Sequence, residues 1–189
     1  MPRIVDHDQY RRLLLEQCGQ LFKDHGYAGL SMRQLAEHLQ VSTGTLYHYF
    51  KNKEELFRAL VYHVADQDLA KIHEALLPLP VEQRLEAFLK LAELSEDDWR
   101  CQLLVVCDYA RAVGFATFDQ EVVLREASQR YLETLEVLLQ RSREQVELIE
   151  HFLSGLLLNR RLYGMSPDLA KQTAQFLKLL SSHKQSSPP

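Results

Sequence analysis

Apolar residues recur every three or four positions along nearly the whole chain, the spacing that lines one face of an α-helix, and strand-like alternation is nowhere sustained. Tyr10, Leu14, Cys18, Leu21 and Phe22 form the first such stripe. It ends at Gly26, a residue free to take the positive φ that closes a helix. Ser31 opens a second helix, with Gln34 completing a capping-box pattern and Leu35, Ala36 and Leu39 on the buried side. Val41-Ser42 imposes a new start, where Ser42 caps the short segment TGTLYHYF. Asn52 caps again. Glu54 and Glu55 then occupy the positive first turn of a long helix that Pro78 and Pro80 stop.

The remainder reads the same way. VEQRLEAFLKLAEL places Val81, Leu85, Phe88, Leu89 and Ala92 on one side, and DDWRCQLLVVCDYARAV is apolar over most of its circumference. After a loop near Gly114–Phe118, Val123, Ala127, Tyr131, Leu135 and Leu138 fall in register. QVELIEHFLSGLLLNRRLYG follows, closed by Gly164. Ser166-Pro167 starts a last helix carrying Leu169, Thr173, Phe176, Leu177 and Leu180. The pattern predicts an all-α protein of about nine helices. It divides into an amino-terminal three-helix domain over 1–56, a helical domain over 57–181 and a polar tail over 182–189 that should fray.

Composition narrows the class. With 46% hydrophobic residues the chain can build a core, and seven Gly and six Pro are too few for a loop-rich β scaffold. Cys18, Cys101 and Cys107 cannot form a closed disulfide set. Together with an amino terminus lacking a secretion signal and the lack of a membrane-length apolar run, this leads to the expectation of a cytoplasmic protein in a reducing compartment. Buried, apolar surroundings are the default expectation for Cys101 and Cys107. The formal charge is −4, but it is unevenly spread. Residues 1–56 hold seven basic and seven acidic side chains, so the excess lies beyond them. Between Ser31 and Lys53 the one acid is Glu37, against Arg33, Lys51 and Lys53. That modest basic spot is weak support for nucleic-acid binding by itself.

The stronger signal is the helix-turn-helix over 31–50. Two short helices joined by a tight turn at Gln40–Ser42 can place the second in a DNA major groove. Leu46 and Phe50, four apart, can anchor that second helix to the core. Thr43, Gly44, Thr45, Tyr47 and His48 are left pointing outward, with no acid to repel phosphate.

LFKDHGYAGLSMRQLAEHLQVSTGTLYHYFKNKEELFRAL, Leu21 to Leu60, resembles the TetR (tetracycline repressor) family of bacterial transcriptional regulators. It carries the Gly-aromatic pair after the first helix, the Ser helix start, the hydrophobic-Ala pair, V-S-x-G-x-L-Y-x-x-F and K-x-K-E-x-L. Gln40 departs from the pattern, standing where the family often has Gly, so a non-Gly residue has to accept a left-handed backbone. Carried over, the resemblance implies that Arg33 reaches a base edge and that Thr43, Gly44 and Thr45 enter the groove. It implies backbone contacts from Tyr47, His48 and Tyr49, and from Lys53 beside a helix amino terminus, with Ser31 capping its helix and donating to a phosphate. Packing over the small core is the alternative for Tyr47 and Tyr49. Solvated surface is the reading for Lys51 and His38, and His48 has no partner for a metal.

The resemblance also implies a homodimer on a double-stranded, palindromic operator, with recognition helices about one DNA turn (roughly 34–36 Å) apart. HFLSGLLLNRRLY supports it, with apolar residues on more than one face and Ser154 and Gly155 small enough for close helix approach. Phe152, Leu153, Leu156, Leu157, Phe176, Leu177 and Leu180 are candidates for interface and core, against the alternative of a purely internal core. The middle helices would enclose a pocket for a small-molecule effector, with Trp99, Leu103, Cys107, Tyr109, Arg111, Phe115, Phe118 and Tyr131 as lining. Asp108 and Arg111 read either as a surface ion pair or as a ligand clamp. Binding of that effector to one spacing of the recognition helices would lower DNA affinity, with the fourth helix as lever. No HExxH, GxSxG, Walker or GxGxxG pattern points to an enzyme, a metal or a cofactor. An activator, a regulator without ligand, or a helical adaptor are the alternatives to a ligand-released repressor.

Overall fold

Helices begin where Ser31, Ser42 and Asn52 mark them. Ser31 Oγ accepts from Gln34 N at 3.3 Å while the Gln34 side chain returns to Ser31 N at 2.9 Å. Ser42 Oγ accepts from Thr45 N at 2.9 Å, and Asn52 Oδ1 from Glu55 N at 2.7 Å. Each satisfies a backbone N–H that the first helical turn leaves without a partner. The computed structural model describes residues 6–163 and 169–182, and the side chains of 6–159 and 171–179.

The order is α1 (His7–His25), α2 (Met32–His38), α3 (Thr43–Tyr49), α4 (Lys53–Leu76), α5 (Val81–Leu94), α6 (Glu96–Val113), α7 (Phe115–Phe118), α8 (Val122–Leu139), α9 (Arg143–Tyr163) and α10 (Leu169–Ser182). The described residues thus form ten helices and no strand. The count exceeds nine because the loop expected near Gly114 holds one turn of helix, α7, entered through Gly114 at φ 84°. Gly164, Ser166, Pro167 and the tail beyond Ser182 lie outside the described residues.

Packing divides the chain into two units, and not at residue 56. The first comprises Met1–Leu69 with Leu104–Tyr131, the second Ala70–Leu103 with Leu132–Pro189. In the first, Leu14, Cys18 and Phe22 of α1 meet Leu35 of α2, Leu46 of α3, Phe57 of α4 and Tyr109 of α6 in one buried cluster. Burial pushes the Cys18 thiol up to about 12, leaving it an inert apolar filler. A seven-residue helix such as α3 does not persist alone, and its hold comes from Leu46 and Phe50, both fully buried. Each such side chain contributes about 1.5–3 kcal/mol relative to exposure.

The second unit is drier in character. Ile72, Leu76, Leu85, Phe88, Leu89, Leu135, Leu138, Val146 and Ile149 make its interior. Arg84 donates to the carbonyls of Leu79 and Leu138, both at 2.9 Å, tying the α4–α5 turn to the end of α8. Phe152 and Phe176 stack at 4.1 Å between α9 and α10, and Thr173 donates to Glu93 at 2.9 Å.

Candidate nucleic-acid interface

The turn between α2 and α3 closes through Val41 N to Ala36 O at 3.0 Å and Gln40 N to Glu37 O at 3.1 Å. Gln40 takes φ 55°, the left-handed conformation that the sequence demands of it without glycine's freedom. Around α3 the buried side is Leu46 with Phe50 below. Thr43, Gly44, Tyr47 and His48 face solvent, Tyr47 at 50% exposure. No acid lies on α3. A Cβ built on Gly44 would meet nothing nearer than Ser42 Oγ at 3.7 Å, so the protein's own packing does not require a glycine there. Thr45 is half-buried, its hydroxyl bonded to Ser42 Oγ at 2.7 Å. Arg33 is widely exposed and its Nε lies 2.9 Å from Glu37 Oε1, an i,i+4 pair worth about 0.5 kcal/mol that an approaching phosphate or base can outcompete. His38 is exposed and stands 5.4 Å ring to ring from His25.

Tyr49 divides its surface. Its ring packs on Tyr10 of α1 at 5.5 Å, while its hydroxyl lies 2.9 Å from His7 Nδ1. Beside these residues α1 and α3 enclose an open groove of about 1620 Å³, bordered by Arg12 on one wall and Gly44 and His48 on the other.

Beneath α2 and α3 lies a joint that local sequence patterns do not announce. The loop Tyr27–Leu30, which sets the entry angle of α2, is gripped from two helices. Lys53 Nζ donates to Tyr27 O at 3.1 Å and Leu30 O at 2.9 Å, and lies 4.1 Å from the Tyr27 ring centroid. Burial lowers the Lys53 pKa. Its ammonium thus engages two carbonyls of the loop within the domain. Asp108 of α6 accepts from Ala28 N at 2.8 Å, which replaces the expected choice between an Arg111 ion pair and a ligand clamp. Gly26, at φ 74°, sits against that carboxylate, and a Cβ there would come within 2.8 Å of Asp108 Oδ2.

Deeper still, Tyr109 stacks on Phe57 at 4.1 Å, meets Tyr27 edge-on at 4.9 Å and donates to Glu121 Oε1 at 2.5 Å. Arg58 holds the same carboxylate with two bonds, Nε to Oε2 at 3.0 Å and Nη2 to Oε1 at 2.7 Å. Arg58 keeps the buried Glu121 below the usual carboxylate range, and burial, helped by Glu121, pushes the Tyr109 hydroxyl up to about 12. Arg58 and Glu121 are 63 positions apart, too far for any periodicity to pair them. A lone acid beside an apolar stripe was the one available signal.

The residues expected to line an effector pocket are divided between the two units. Trp99 and Leu103 belong to the second unit, Trp99 packing on Phe88, and the other six lie in the first. Phe115 is 68% exposed and Arg111 and Cys107 are exposed, while Cys101 is half-buried, so neither of these thiols takes the buried surroundings expected of it. Tyr109 is committed to Glu121. Phe118 is half-buried near Tyr109, and Tyr131 donates to the buried Asp68 at 3.1 Å. Of the interface candidates, Leu153, Leu156, Leu157 and Phe176 are already buried within a single chain, Phe176 stacked on Phe152. Phe152 and Leu177 are half-buried, and the Leu180 side chain lies outside the described residues. Leu148 and Leu179, not singled out from the sequence, are the exposed large apolar residues among the described side chains of these helices, at 51% and 66%.

Comparison with known proteins bears on the same segment. The family described as bacterial regulatory proteins, tetR family, matches residues 14–60. The chain is 28% identical over 102 residues to the transcriptional regulator PksA of Bacillus subtilis, covering 53% of this chain and 50% of PksA. It is 39% identical over 64 residues to the transcriptional repressor AcnR of Corynebacterium diphtheriae, covering 34% and 32% of the two chains. These matches span half or less of the relatives' length. The structure of the transcriptional regulator FadR from Bacillus subtilis, in complex with stearoyl-CoA, superposes with a TM-score of 0.67 over 90% of this chain and 97% of that one. At 16% identity this likeness concerns the fold alone. The helix pair, its caps and the matched segment coincide, so the likeness to the TetR family of bacterial regulatory proteins rests on residues 14–60.

Proposed function

We propose that this protein is a homodimeric transcriptional regulator, a repressor that leaves its operator when a small molecule binds. The observation that carries the reading is the outer face of α3. Thr43, Gly44, Tyr47 and His48 are exposed, free of acid, and held by a buried underside that leaves them nothing to do for the fold. Gly44 strengthens it, since room for a side chain exists and the bare backbone favours close approach to DNA. In this reading Thr43, Gly44, Thr45 and Arg33 address base edges, and Tyr47, His48, Tyr49 and Ser31 address the backbone. Lys53 contributes by fixing the loop before α2 and only secondarily by its charge.

One short helix provides little specificity, so the reading includes a second copy and a palindromic operator. Exposed Leu148 and Leu179 on α9 and α10 support a partner surface in the second unit, as does the open space above Gly155. Repression is drawn from relatives such as AcnR, and effector release from FadR, whose structure holds stearoyl-CoA. No described helix is long and apolar enough to cross a membrane, and the proposed place of action is the cytoplasm. Selection of bound fragments from genomic DNA tests the whole reading. Enrichment of an inverted repeat with half-sites about one helical turn apart is expected. Recovery of fragments no different from the input at low salt would exclude it.

A further inference from the structure

The groove between α1 and α3 is not absorbed by the recognition face of α3. Its walls are built by His7, Tyr10 and Arg12 on one side and Gly44, Thr45 and His48 on the other, so it opens onto the same surface that Gly44 and His48 present. Resting on the DNA-binding reading above, we propose that the first turn of α1 is part of the DNA-contacting surface. His7 there is a positioning residue that aims the Tyr49 hydroxyl at a backbone phosphate and makes binding proton-linked.

The geometry is specific. Tyr49 has its ring against Tyr10, and His48 stands edge-on to it at 5.0 Å, so the hydroxyl is its one polar outlet, and His7 Nδ1 lies 2.9 Å away. Neutral imidazole can accept the tyrosine hydrogen at Nδ1 or donate to its oxygen, according to tautomer. Imidazolium can only donate. Once His7 is charged, the Tyr49 O–H turns away from it into the groove, where a phosphodiester oxygen can accept. His48, its ring centroid 6.1 Å from that of His7, gains from the same phosphate.

The groups facing His7 are of both signs. Asp6, Asp8 and, farther along, Glu16 favour its charged form. Arg11, Arg12 and the positive end of α1 oppose it, and α3 brings no charged residue other than His48. Asp6 is engaged in accepting from Asp8 N and Gln9 N, and Arg11 lies 4.9 Å over the Phe50 ring. A phosphate arriving beside the imidazole favours its charged form, and by linkage the proton then strengthens binding.

The test is fluorescence anisotropy of the full chain with a short labelled DNA duplex of mixed sequence, at low salt, between pH 6 and pH 8, the window in which histidine titrates. The wild type is expected to bind about fivefold more tightly at pH 6 than at pH 8. His7→Ala should weaken binding several-fold at pH 6 and lose most of that pH dependence, while keeping its melting temperature, since His7 is exposed. His7→Gln, which retains a hydrogen-bonding group but cannot titrate, should recover affinity at pH 8 without recovering the slope. Tyr49→Phe should match His7→Ala, and the double variant should be no weaker than either single one. His7→Ala binding with wild-type affinity and slope would overturn the inference and leave the DNA-binding reading standing. A wild type that ignores the duplex altogether would overturn both.

Discussion

The outer face of α3 and the joint beneath it lie in one compact unit and are built on opposite terms. On the face, Thr43, Gly44, Tyr47 and His48 are exposed, and their removal should cost the fold little. In the joint, Lys53 holds the carbonyls of Tyr27 and Leu30, Asp108 accepts from Ala28 N, and Arg58 and Tyr109 share the Glu121 carboxylate. Both regions hold polar residues of the sort that a DNA-binding motif leads one to expect. What separates them is whether a side chain's hydrogen-bonding capacity is consumed inside the domain. A side chain consumed in this way, as Lys53 is by two loop carbonyls, holds the loop before α2 whether or not it also meets DNA.

The sharpest way to break this contrast is at Tyr109. Replacing it with Ala removes a ring fully buried between Phe57 and Tyr27, and a loss of about 3–5 kcal/mol in unfolding free energy is expected by denaturant titration. A loss below 1 kcal/mol would mean that the joint is not a structural unit. Glu121→Gln is the milder, pH-resolved form. Because the folded-state pKa of Glu121 is lowered, its contribution is present above the ordinary carboxylate value near pH 4 and is lost as pH falls through the folded value. The variant should therefore be about 1–2 kcal/mol less stable than the wild type at pH 7, Arg58 being half exposed, and the gap should narrow as pH falls.

Next in size is the pairing of Lys53→Ala with Tyr47→Ala. The lysine change strips a charged donor from two carbonyls and should lower stability by about 1–3 kcal/mol while leaving the salt dependence of DNA binding close to that of the wild type. Tyr47→Ala should leave the melting temperature unchanged and weaken binding to operator and nonspecific DNA alike. A flattened salt slope for Lys53→Ala would move that residue back to the phosphate contacts. Gly44→Ala should be neutral or up to about 1 kcal/mol stabilising, as expected for a helical position with room above it, yet should weaken DNA binding. Unchanged affinity would show that no backbone approaches there. Smallest is Gln40→Gly, expected to stabilise by about 0.5–1 kcal/mol because it relieves a positive φ, read as a rise in melting temperature.

The helices and their starts were legible in the chain because their causes are local. Ser31, Ser42 and Asn52 lie within three positions of the N–H groups they cap, Gln40 had to take a positive φ in a turn that closes there, and Leu46 and Phe50 share a face by spacing alone. The recognition helix and its exposed residues follow from the same short-range geometry. Tertiary structure alone decided which polar residues would be consumed. Arg58 meets Glu121, Ala28 meets Asp108 and Tyr49 meets His7 across separations of 63, 80 and 42 positions, and no periodic pattern encodes such pairs. It also settled that Leu153, Leu156 and Leu157 of α9 are buried within one chain, and that Phe115 stays in solvent. Hydrophobic spacing states that a face will be covered. Which partner covers it is determined only when distant helices compete for the same surface.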